Sequence, residues 1–220
     1  MEIRQYGPAD QPALYEICLR TGDSGRDATG RYADPRLLGH VYLGAYLALQ
    51  PRFALVLDRG DDEAGHRPLD RGLRSAAPAG GRTPVGYAVA ALDSAEFAVR
   101  CEARWWPPLR RRYPDPVAVP DAARSPDQRL AALIHHPPPV PDVAGRYPSQ
   151  LHIDLLPAAQ GGGHGRALLS RLTALLAAAG SSGVHAGVDP ANRPALGFYR
   201  RLGFEELARE PGVVWLGADL

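Results

Sequence analysis

The chain has 220 residues, of which 45% are hydrophobic and 22% charged, so it can bury the core of one large or two small domains. Its 25 basic and 24 acidic residues leave a net charge of +1, which argues against nucleic acid as a partner, because such binding depends on neutralising phosphates. Two cysteines cannot form a disulfide framework, no apolar run is long enough to span a membrane, and the first residues do not resemble a signal peptide. We therefore expect a cytoplasmic protein that binds no membrane.

All 25 basic residues are arginine, because the chain contains no lysine. This excludes mechanisms that need a lysine of the chain itself: Walker-type phosphate binding, protein kinase catalysis and pyridoxal Schiff-base chemistry. The abundance of arginine, alanine, glycine and proline is typical of GC-rich coding, which explains the composition without a functional cause.

Hydrophobic periodicity and turn residues predict both helices and strands. In chain order, the predicted elements are a helix at 10–20, a helix at 35–48, a strand at 53–57, a strand at 85–92, a helix at 94–113, a short helix at 128–135, a strand at 151–156, a helix at 167–179, a strand at 184–188, a helix at 194–202 and a strand at 213–216. The stretch 59–84 is poor in large apolar residues, so we expect a mobile insertion there that adds little to the core. No linker separates two cores, which predicts a single α/β domain over residues 1–220.

A glycine-rich loop joins the strand at 151–156 to the apolar helix that follows. Its sequence is Gln160-Gly161-Gly162-Gly163-His164-Gly165. Backbone N–H groups at a helix N-terminus can bind an anion there, and glycine lets a phosphate approach the backbone closely. The dinucleotide fingerprint G-x-G-x-x-G fails in every register, and without lysine the loop is not a Walker loop. The loop fits Q-x-x-G-x-G and resembles the pyrophosphate loop of the GCN5-related N-acetyltransferase (GNAT) family.

A second segment, one helix and one strand later, carries the same resemblance. Asn192 to Phe204 is similar at every position to the second GNAT signature, N-x-x-A-x-x-F-Y-x-x-x-G-F. The resemblance covers at least residues 149–216. It implies the GNAT fold, an α/β (α+β) architecture whose mixed central sheet has a V-shaped splay between two parallel strands and is flanked by helices.

The front half resembles a narrower group, the acetyltransferase-like C-terminal domains of O-GlcNAcase and its bacterial relatives. The similar residues are Pro8-Ala9-Asp10, the segment Tyr15 to Gly22 with Gly25 and Asp27, and Trp106-Pro107 followed by Tyr113. Some domains of this kind have lost the acyl-CoA loop. Here the loop is intact, which favours a working donor site.

The GNAT resemblance implies that acetyl-CoA, the acyl-donor substrate, binds at the splay and the glycine loop. Backbone groups of Leu155 and Leu156 would bind the pantetheine arm, although both side chains also fit a simple core role. The implied donor-binding residues are Leu155, Leu156, Gln160, Gly161, Gly162, Gly163, His164, Gly165, Arg166, Asn192, Phe198 and Tyr199. The candidates for the adenosine 3′-phosphate are Arg166, Arg193, Arg200 and Arg201.

Direct attack of an amine on a thioester needs a neutral amine, a stabilised oxyanion and a proton for the thiolate. Tyr199 matches the family tyrosine placed near the sulfur, so we expect it to be the general acid; the alternative is a core aromatic beside Phe198. Asp154 and His152 share one face of their strand. Asp154 is the candidate base, or else a buried, hydrogen-bonded aspartate. His152 titrates in a useful range, but a lone histidine is more often structural.

Asp23 and Asp27, on the loop after the first helix, are with Asp154 the candidate substrate-binding residues, or else ordinary solvated acids. We expect no metal, because no Cys, His and carboxylate spacing predicts a site. The expected function is acetyl transfer from acetyl-CoA to an amine, with a small amine, an amino sugar and a peptide amine all open and a homodimer left open. The alternative is a non-catalytic acyl-CoA-binding or protein-interaction module with an acetyltransferase-like fold.

Overall fold

The computed structural model describes residues 1–60 and 82–220. Its helices and strands are β1 (Glu2–Gln5), α1 (Gln11–Thr21), α2 (Leu37–Tyr42), α3 (Gly44–Leu49), β2 (Ala54–Arg59), β3 (Thr83–Ala91), α4 (Ser94–Arg100), α5 (Trp106–Arg112), α6 (Pro126–His135), β4 (Ser149–Leu155), α7 (His164–Ala178), β5 (Gly183–Val188), α8 (Arg193–Arg201), β6 (Glu205–Glu210) and β7 (Val213–Asp219). Most of the insertion predicted at 59–84 lies outside the described residues. Its first residue ends β2, and its last two begin β3.

A seven-stranded sheet runs through the molecule in the order β1-β2-β3-β4-β5-β7-β6. Neighbouring strands are antiparallel except β4 and β5, which are parallel. This parallel pair is joined only at Ser149–Val184 and Gln150–His185, after which both strands continue without pairing. The predicted α/β fold with a V-shaped splay between two parallel strands is confirmed.

The sheet separates two hydrophobic cores. Helices α1 to α6 cover one face, where they pack against Val56, Tyr87 and Val89. Helices α7 and α8 cover the other face, where Leu172 of α7 packs near Leu55 of β2. Helices α1 and α8 therefore lie on opposite faces of the sheet.

Two predicted helices are interrupted. The helix predicted at 35–48 is two short helices, because the backbone breaks at Leu43. The break brings Gly44 against an aromatic pair: a Cβ added there would lie 2.2 Å from the Tyr15 hydroxyl and 2.5 Å from the Trp105 ring. The helix predicted at 94–113 contains a π turn at Cys101–Trp105, between α4 and α5. Strands β1 and β6 were not predicted.

A buried ionic cluster fixes the first strand. Arg4 of β1 pairs with Asp58 at 2.5 Å and with Asp10 at 2.6 Å, and the two carboxylate side chains are 1% and 5% exposed. The hydrogen bond and charge of Arg4 outweigh burial and lower the pKa of Asp10. Removal of the guanidinium would leave two carboxylates in the interior without their partner.

We therefore expect Arg4→Met to lower the free energy of unfolding by about 3 kcal/mol, the scale seen when one partner of a buried ion pair is removed. Arg82→Met is the matched control, since Arg82 pairs with Glu2 at the exposed edge of the same sheet and both side chains are more than half exposed. Its loss is expected to cost less than about 1 kcal/mol. Urea unfolding of both variants measures the difference, and equal destabilisation would contradict the role of burial.

Candidate functional site

The splay between β4 and β5 opens into a cleft of about 1480 Å³. Its walls come from the end of β4, the glycine loop before α7, the start of α8, the turn after α1, the proline-rich loop before β4 and the turn between β6 and β7. Both sequence motifs and the loop that carries Asp23 therefore meet in one place.

The glycine loop presents backbone donors at the N-terminus of α7. Gly161 and Gly163 have φ angles of +81° and +79°, in the left-handed region that favours glycine. In the described residues, none of the backbone N–H groups from Gly161 to Arg166 donates a hydrogen bond. Such N–H groups at the start of a 15-residue helix form a site that can hold an anion.

Two loop residues lie away from the cleft. Gly162 and His164 contact each other, since a Cβ on Gly162 would lie 2.8 Å from His164 Nε2, and neither is among the described residues that line the cleft. Gln160 lines the cleft and donates from Nε2 to the Leu155 carbonyl at 2.9 Å. The loop is thereby tied to the end of β4.

Along β4, successive residues direct their backbone N–H and C=O groups alternately toward β3 and toward the β5 side. The N–H of Leu156 donates to the Val85 carbonyl at 2.9 Å, so this residue faces β3. Since successive residues point to opposite sides in the plane of an antiparallel pair, the backbone groups of Ile153 and Leu155 face the splay. Both also line the cleft, whereas Leu156 is not among the described lining residues. The backbone groups of Leu155 thus face the splay, as the resemblance implies. Those of Leu156 do not, and those of Ile153 do.

Tyr199 lies in α8 and lines the cleft together with residues of β4. Its side chain is buried, and its ring contacts Phe198 and Phe204 at centroid distances of 5.3 and 5.2 Å. Its hydroxyl has no hydrogen bond within the described parts of the chain, and the residue lines the cleft. Burial, followed by the charge of Asp154, raises the pKa of Tyr199 above its ordinary value, so the hydroxyl stays protonated at neutral pH.

Phe198 and Asn192 support the same wall. A Cβ added to Gly165 would lie 3.0 Å from the Phe198 ring, so the glycine lets the ring lie against the start of α7. Asn192 caps α8, since its Oδ1 accepts from the Ala195 N–H at 3.1 Å. Both residues line the cleft.

A polar cluster lies on the α1 side of β4. The Tyr87 hydroxyl donates to Asp154 Oδ2 at 2.5 Å, and His152 Nε2 lies 3.0 Å from the same oxygen. The His152 and Asp154 side chains are 34% and 17% exposed, and both residues line the cleft. Asp154 Oδ1 has no partner among the described residues, so it is the atom of the cluster that can accept a further proton.

The pairing of His152 with Asp154 shifts the pKa values in this cluster. Burial lowers the pKa of an imidazole, but the charge of Asp154 and the hydrogen bond with it outweigh burial and raise the pKa of His152 to about 10. The pairing therefore favours the imidazolium form of His152 at neutral pH. Burial and the charge of Asp154 also raise the pKa of Tyr87 well above its ordinary value.

The turn after α1 reaches across the cleft. Ser24 Oγ donates to Asp189 Oδ2, beyond the end of β5, at 2.7 Å. Asp23 lines the cleft, and its carboxylate is paired with Arg31 and with Arg26. Asp23 is thus near the expected acceptor pocket, but its charge is already balanced.

Asp27 has a structural role instead. Its carboxylate accepts from the Thr29 N–H at 2.8 Å, and the hydrogen bonds to Thr29 lower the pKa of Asp27. It is exposed and is not among the described residues that line the cleft. The alternative of an ordinary solvated loop acid fits Asp27 better than substrate binding.

The candidate arginines divide into two groups. Arg166 and Arg201 line the cleft. Arg200 pairs with Glu206 at 2.8 Å, and Arg193 is not among the described lining residues. Arg166 and Arg201 are therefore better placed for a phosphate.

Three residues near the polar cluster were not predicted from the sequence. Tyr87 stands directly opposite Asp154 in the register of β3 and β4. Cys18 of α1 and Ile153 also line the cleft. A tyrosine within an otherwise small and apolar strand was a signal for Tyr87, whereas the position of Cys18 depends on how α1 packs on the sheet.

Comparisons with known proteins agree with this geometry. Residues 58–204 match the model of the acetyltransferase (GNAT) family. Protein O-GlcNAcase of Rattus norvegicus and that of Mus musculus are each 27% identical over 224 residues, which cover 99% of this chain and 22% of each relative. The chain thus spans about a fifth of the length of these curated relatives. Both resemblances drawn from the sequence are confirmed.

Solved structures show the same fold. SsHAT is 39% identical, with a TM-score of 0.83 and coverage of 99% of this chain and 97% of that chain. The structure of yncA from Salmonella typhimurium, solved with its cofactor acetyl-CoA, is 18% identical, with a TM-score of 0.50 and coverage of 100% and 94%. At that identity the likeness to yncA shows the fold alone. In the described ranges, no helix combines the length and apolar character that crossing a bilayer requires.

Proposed function

The chain belongs to the acetyltransferase (GNAT) family, and on this premise we propose that it transfers the acetyl group of acetyl-CoA to an amine in the cleft between β4 and α8. One observation carries the proposal. The glycine loop, whose N–H groups have no partner in the described parts of the chain, and the Asp154–His152 pair lie along the same cleft. The N–H groups of the glycine loop suit a pyrophosphate, and the Asp154–His152 pair suits an amine.

The donor would be held mainly by backbone groups. The N–H groups of Gly161, Gly163, Gly165 and Arg166 suit the pyrophosphate, because they have no partner among the described residues and lie at a helix N-terminus. Ile153 and Leu155 face the splay and suit the pantetheine arm. Arg166 and Arg201 supply positive charge for the remaining phosphate.

Asp154 would take the proton of the attacking amine. Its Oδ1 has no partner among residues 1–60 and 82–220, while Oδ2 accepts from the Tyr87 hydroxyl and lies 3.0 Å from His152 Nε2. A carboxylate held in this way has a fixed orientation, which leaves Oδ1 as the acceptor. It would take the proton of the bound ammonium before attack, directly or through a water, and so supply the neutral amine.

Two further groups complete the proposed chemistry. Backbone N–H groups of β4 that face the splay are positioned to stabilise an oxyanion. Tyr199 keeps its proton at neutral pH and would donate it, or a strong hydrogen bond, to the leaving thiolate. No step of this scheme needs a metal.

Acidic side chains along the cleft would favour a cationic amine. Asp142 and Glu210 line the cleft, and Asp23 pairs with both Arg26 and Arg31. A small diamine, an amino sugar or a peptide amine would meet this requirement. The similarity to protein O-GlcNAcase makes a peptide amine the first acceptor to test.

The test is release of coenzyme A from acetyl-CoA in the presence of a panel of amines. Turnover with at least one amine supports the enzyme. Thermal stabilisation by acetyl-CoA with no turnover on any amine would favour the alternative, a non-catalytic acyl-CoA-binding or interaction module. Stabilisation by NAD or ATP but not by acetyl-CoA would contradict the donor site.

The donor site makes a separate prediction at Gly163. Gly163→Asn is expected to weaken acetyl-CoA binding by about 10–100-fold, the scale of one or two lost hydrogen bonds to a charged group. Asparagine tolerates a positive φ better than other residues, and a side chain at Gly163 would point into open space. A side chain at this position would occupy the space that the phosphate needs. Gly163→Val adds such a side chain with more backbone strain, and Gly165→Val would also displace the Phe198 ring.

Gly180→Asn is the matched control for this variant. Gly180 lies just after the same helix with a φ of +91°, and an added Cβ there would meet nothing within 4 Å. Both variants should shift the melting temperature similarly, while calorimetry should find weaker acetyl-CoA binding only for Gly163→Asn. Wild-type affinity in a folded Gly163→Asn protein would refute the loop assignment.

A further inference from the structure

Three different metal-ligating side chains meet at the acceptor side of the cleft. Cys18 comes from α1, and His152 and Asp154 come from β4; the thiol sulfur, a ring nitrogen and a carboxylate oxygen all lie within 4.8 Å of one another. Cys18 is 2% exposed, yet it lines the cleft together with the other two residues. The proposed mechanism gives this cysteine no role.

We propose that Cys18, His152 and Asp154 bind one Zn²⁺ ion, and that the bound ion inhibits acetyl transfer by occupying the carboxylate and imidazole of the proposed catalytic pair. The binding part stands on the geometry alone. The inhibition part rests on the proposed function.

The type of ligand selects zinc. A thiolate, an imidazole and a carboxylate form a mixed set that suits Zn²⁺, whereas Mg²⁺ and Ca²⁺ prefer oxygen ligands only. Around a tetrahedral zinc ion, ligand atoms lie roughly 3.3–3.8 Å apart, as follows from bond lengths of about 2.0–2.3 Å. From the widest separation of 4.8 Å, the ligand atoms need to close by about 1–1.5 Å, which rotation of the side chains can supply. The fourth position would face the cleft and hold water.

The ligand set also balances the charge of the ion. The thiolate of Cys18 and the carboxylate of Asp154 supply two negative charges to Zn²⁺, and any proton displaced from the ligands leaves to solvent. The bound site is then neutral and avoids the cost of burying an unpaired charge.

Tyr87 would become a supporting residue. Its hydroxyl donates to Asp154 Oδ2, so Oδ1 can bind the ion while the carboxylate stays oriented. Hydrogen bonds of this kind to a ligating carboxylate strengthen metal sites.

Calorimetry on chelator-treated protein tests the site with ZnCl₂ as the probe and MgCl₂ for comparison. We expect one zinc site and no magnesium binding. Cys18→Ala should weaken zinc binding by roughly 100-fold or more, since even changes outside the ligands weaken such sites by 10–100-fold. Cys18→Val serves the same purpose while filling the space that the buried sulfur leaves.

Two control variants test whether zinc binds at Cys18 or at other cysteine and histidine side chains. Cys101→Ala removes the other buried free cysteine and should leave zinc affinity unchanged. His136→Ala removes a surface histidine that pairs with Asp115 and should also have no effect. Co²⁺ in place of zinc should give a thiolate charge-transfer band in wild-type protein and Cys101→Ala, and none in Cys18→Ala.

The inhibition is measured as coenzyme A release at rising zinc concentrations. Wild-type protein and Cys101→Ala should lose turnover, while folded Cys18→Ala should resist the same concentrations. Absence of zinc binding, or binding that Cys18→Ala retains, would overturn the site. Tight zinc binding without loss of turnover would overturn the proposed inhibition but not the zinc site. A wild-type protein with no turnover on any amine would overturn both the inhibition and the proposed function. In that case calorimetry would still decide whether the zinc site exists.

Discussion

Asp154→Asn is expected to lower kcat for acetyl transfer by about 10²–10⁴-fold, the range found when a general base is removed, with little change in KM for acetyl-CoA. The side chain keeps its size, but the amide oxygen cannot accept and hold a proton as the carboxylate does. Loss of the negative charge also removes the partner of His152. The donor site is unaffected, because its backbone groups lie on the glycine loop and on the splay side of β4.

The pH profile separates a base from a merely structural carboxylate. Without Asp154, the reaction depends on amine that is already deprotonated, and this fraction rises tenfold per pH unit below the pKa of the amine. The rate deficit of Asp154→Asn should therefore shrink as the pH rises. A deficit that is constant with pH would mean that Asp154 positions other groups and takes no proton.

Two variants control for this experiment. Tyr87→Phe keeps the carboxylate but removes the hydroxyl that donates to Oδ2 at 2.5 Å, so it should cost less turnover than Asp154→Asn. Asp23→Asn removes another cleft carboxylate, one that is already paired with Arg31 and Arg26, and should change kcat little. Full activity in Asp154→Asn would assign the base to water or to another group.

The two strands that were not predicted, β1 and β6, show where the sequence signal for the fold is weak. Strands β1 and β6 are the two edges of the sheet. The residues of β6, Glu205 to Glu210, are mostly charged and exposed, as expected for an edge that must not pair with other chains. Charge at these positions removes the apolar alternation on which strand prediction depends, while the interior strands keep it.

The candidate site was predictable only where its residues are close in sequence. The glycine loop and the segment from Asn192 to Phe204 are contiguous motifs, and the structure places them along one cleft. Tyr87 and Asp154 are 67 positions apart, and only the register of β3 and β4 brings them together. The contact of Cys18 with this cluster depends on the packing of α1 against the sheet, which residue spacing does not encode.

Tyr199→Phe is expected to lower kcat by about 10²-fold, at the low end of the range for general acids, while acetyl-CoA binding changes little. The magnitude follows from the environment of the hydroxyl. Burial raises the pKa of Tyr199 above that of a free tyrosine, whereas a thiol ordinarily has a pKa of about 8.5. Full proton transfer to the thiolate is then uphill, so the hydroxyl stabilises the developing charge mainly through a hydrogen bond.

The variant should fold normally, which makes its kinetics interpretable. The Tyr199 hydroxyl has no hydrogen bond within the described residues, and the remaining ring keeps its contacts with Phe198 and Phe204. Tyr42→Phe is the control, because Tyr42 lines the cleft from α2 and has no role in the proposed chemistry. Steady-state kinetics with a true acceptor separates kcat from KM. If Tyr199→Phe retains full turnover, the tyrosine is a core residue and the thiolate takes its proton from water.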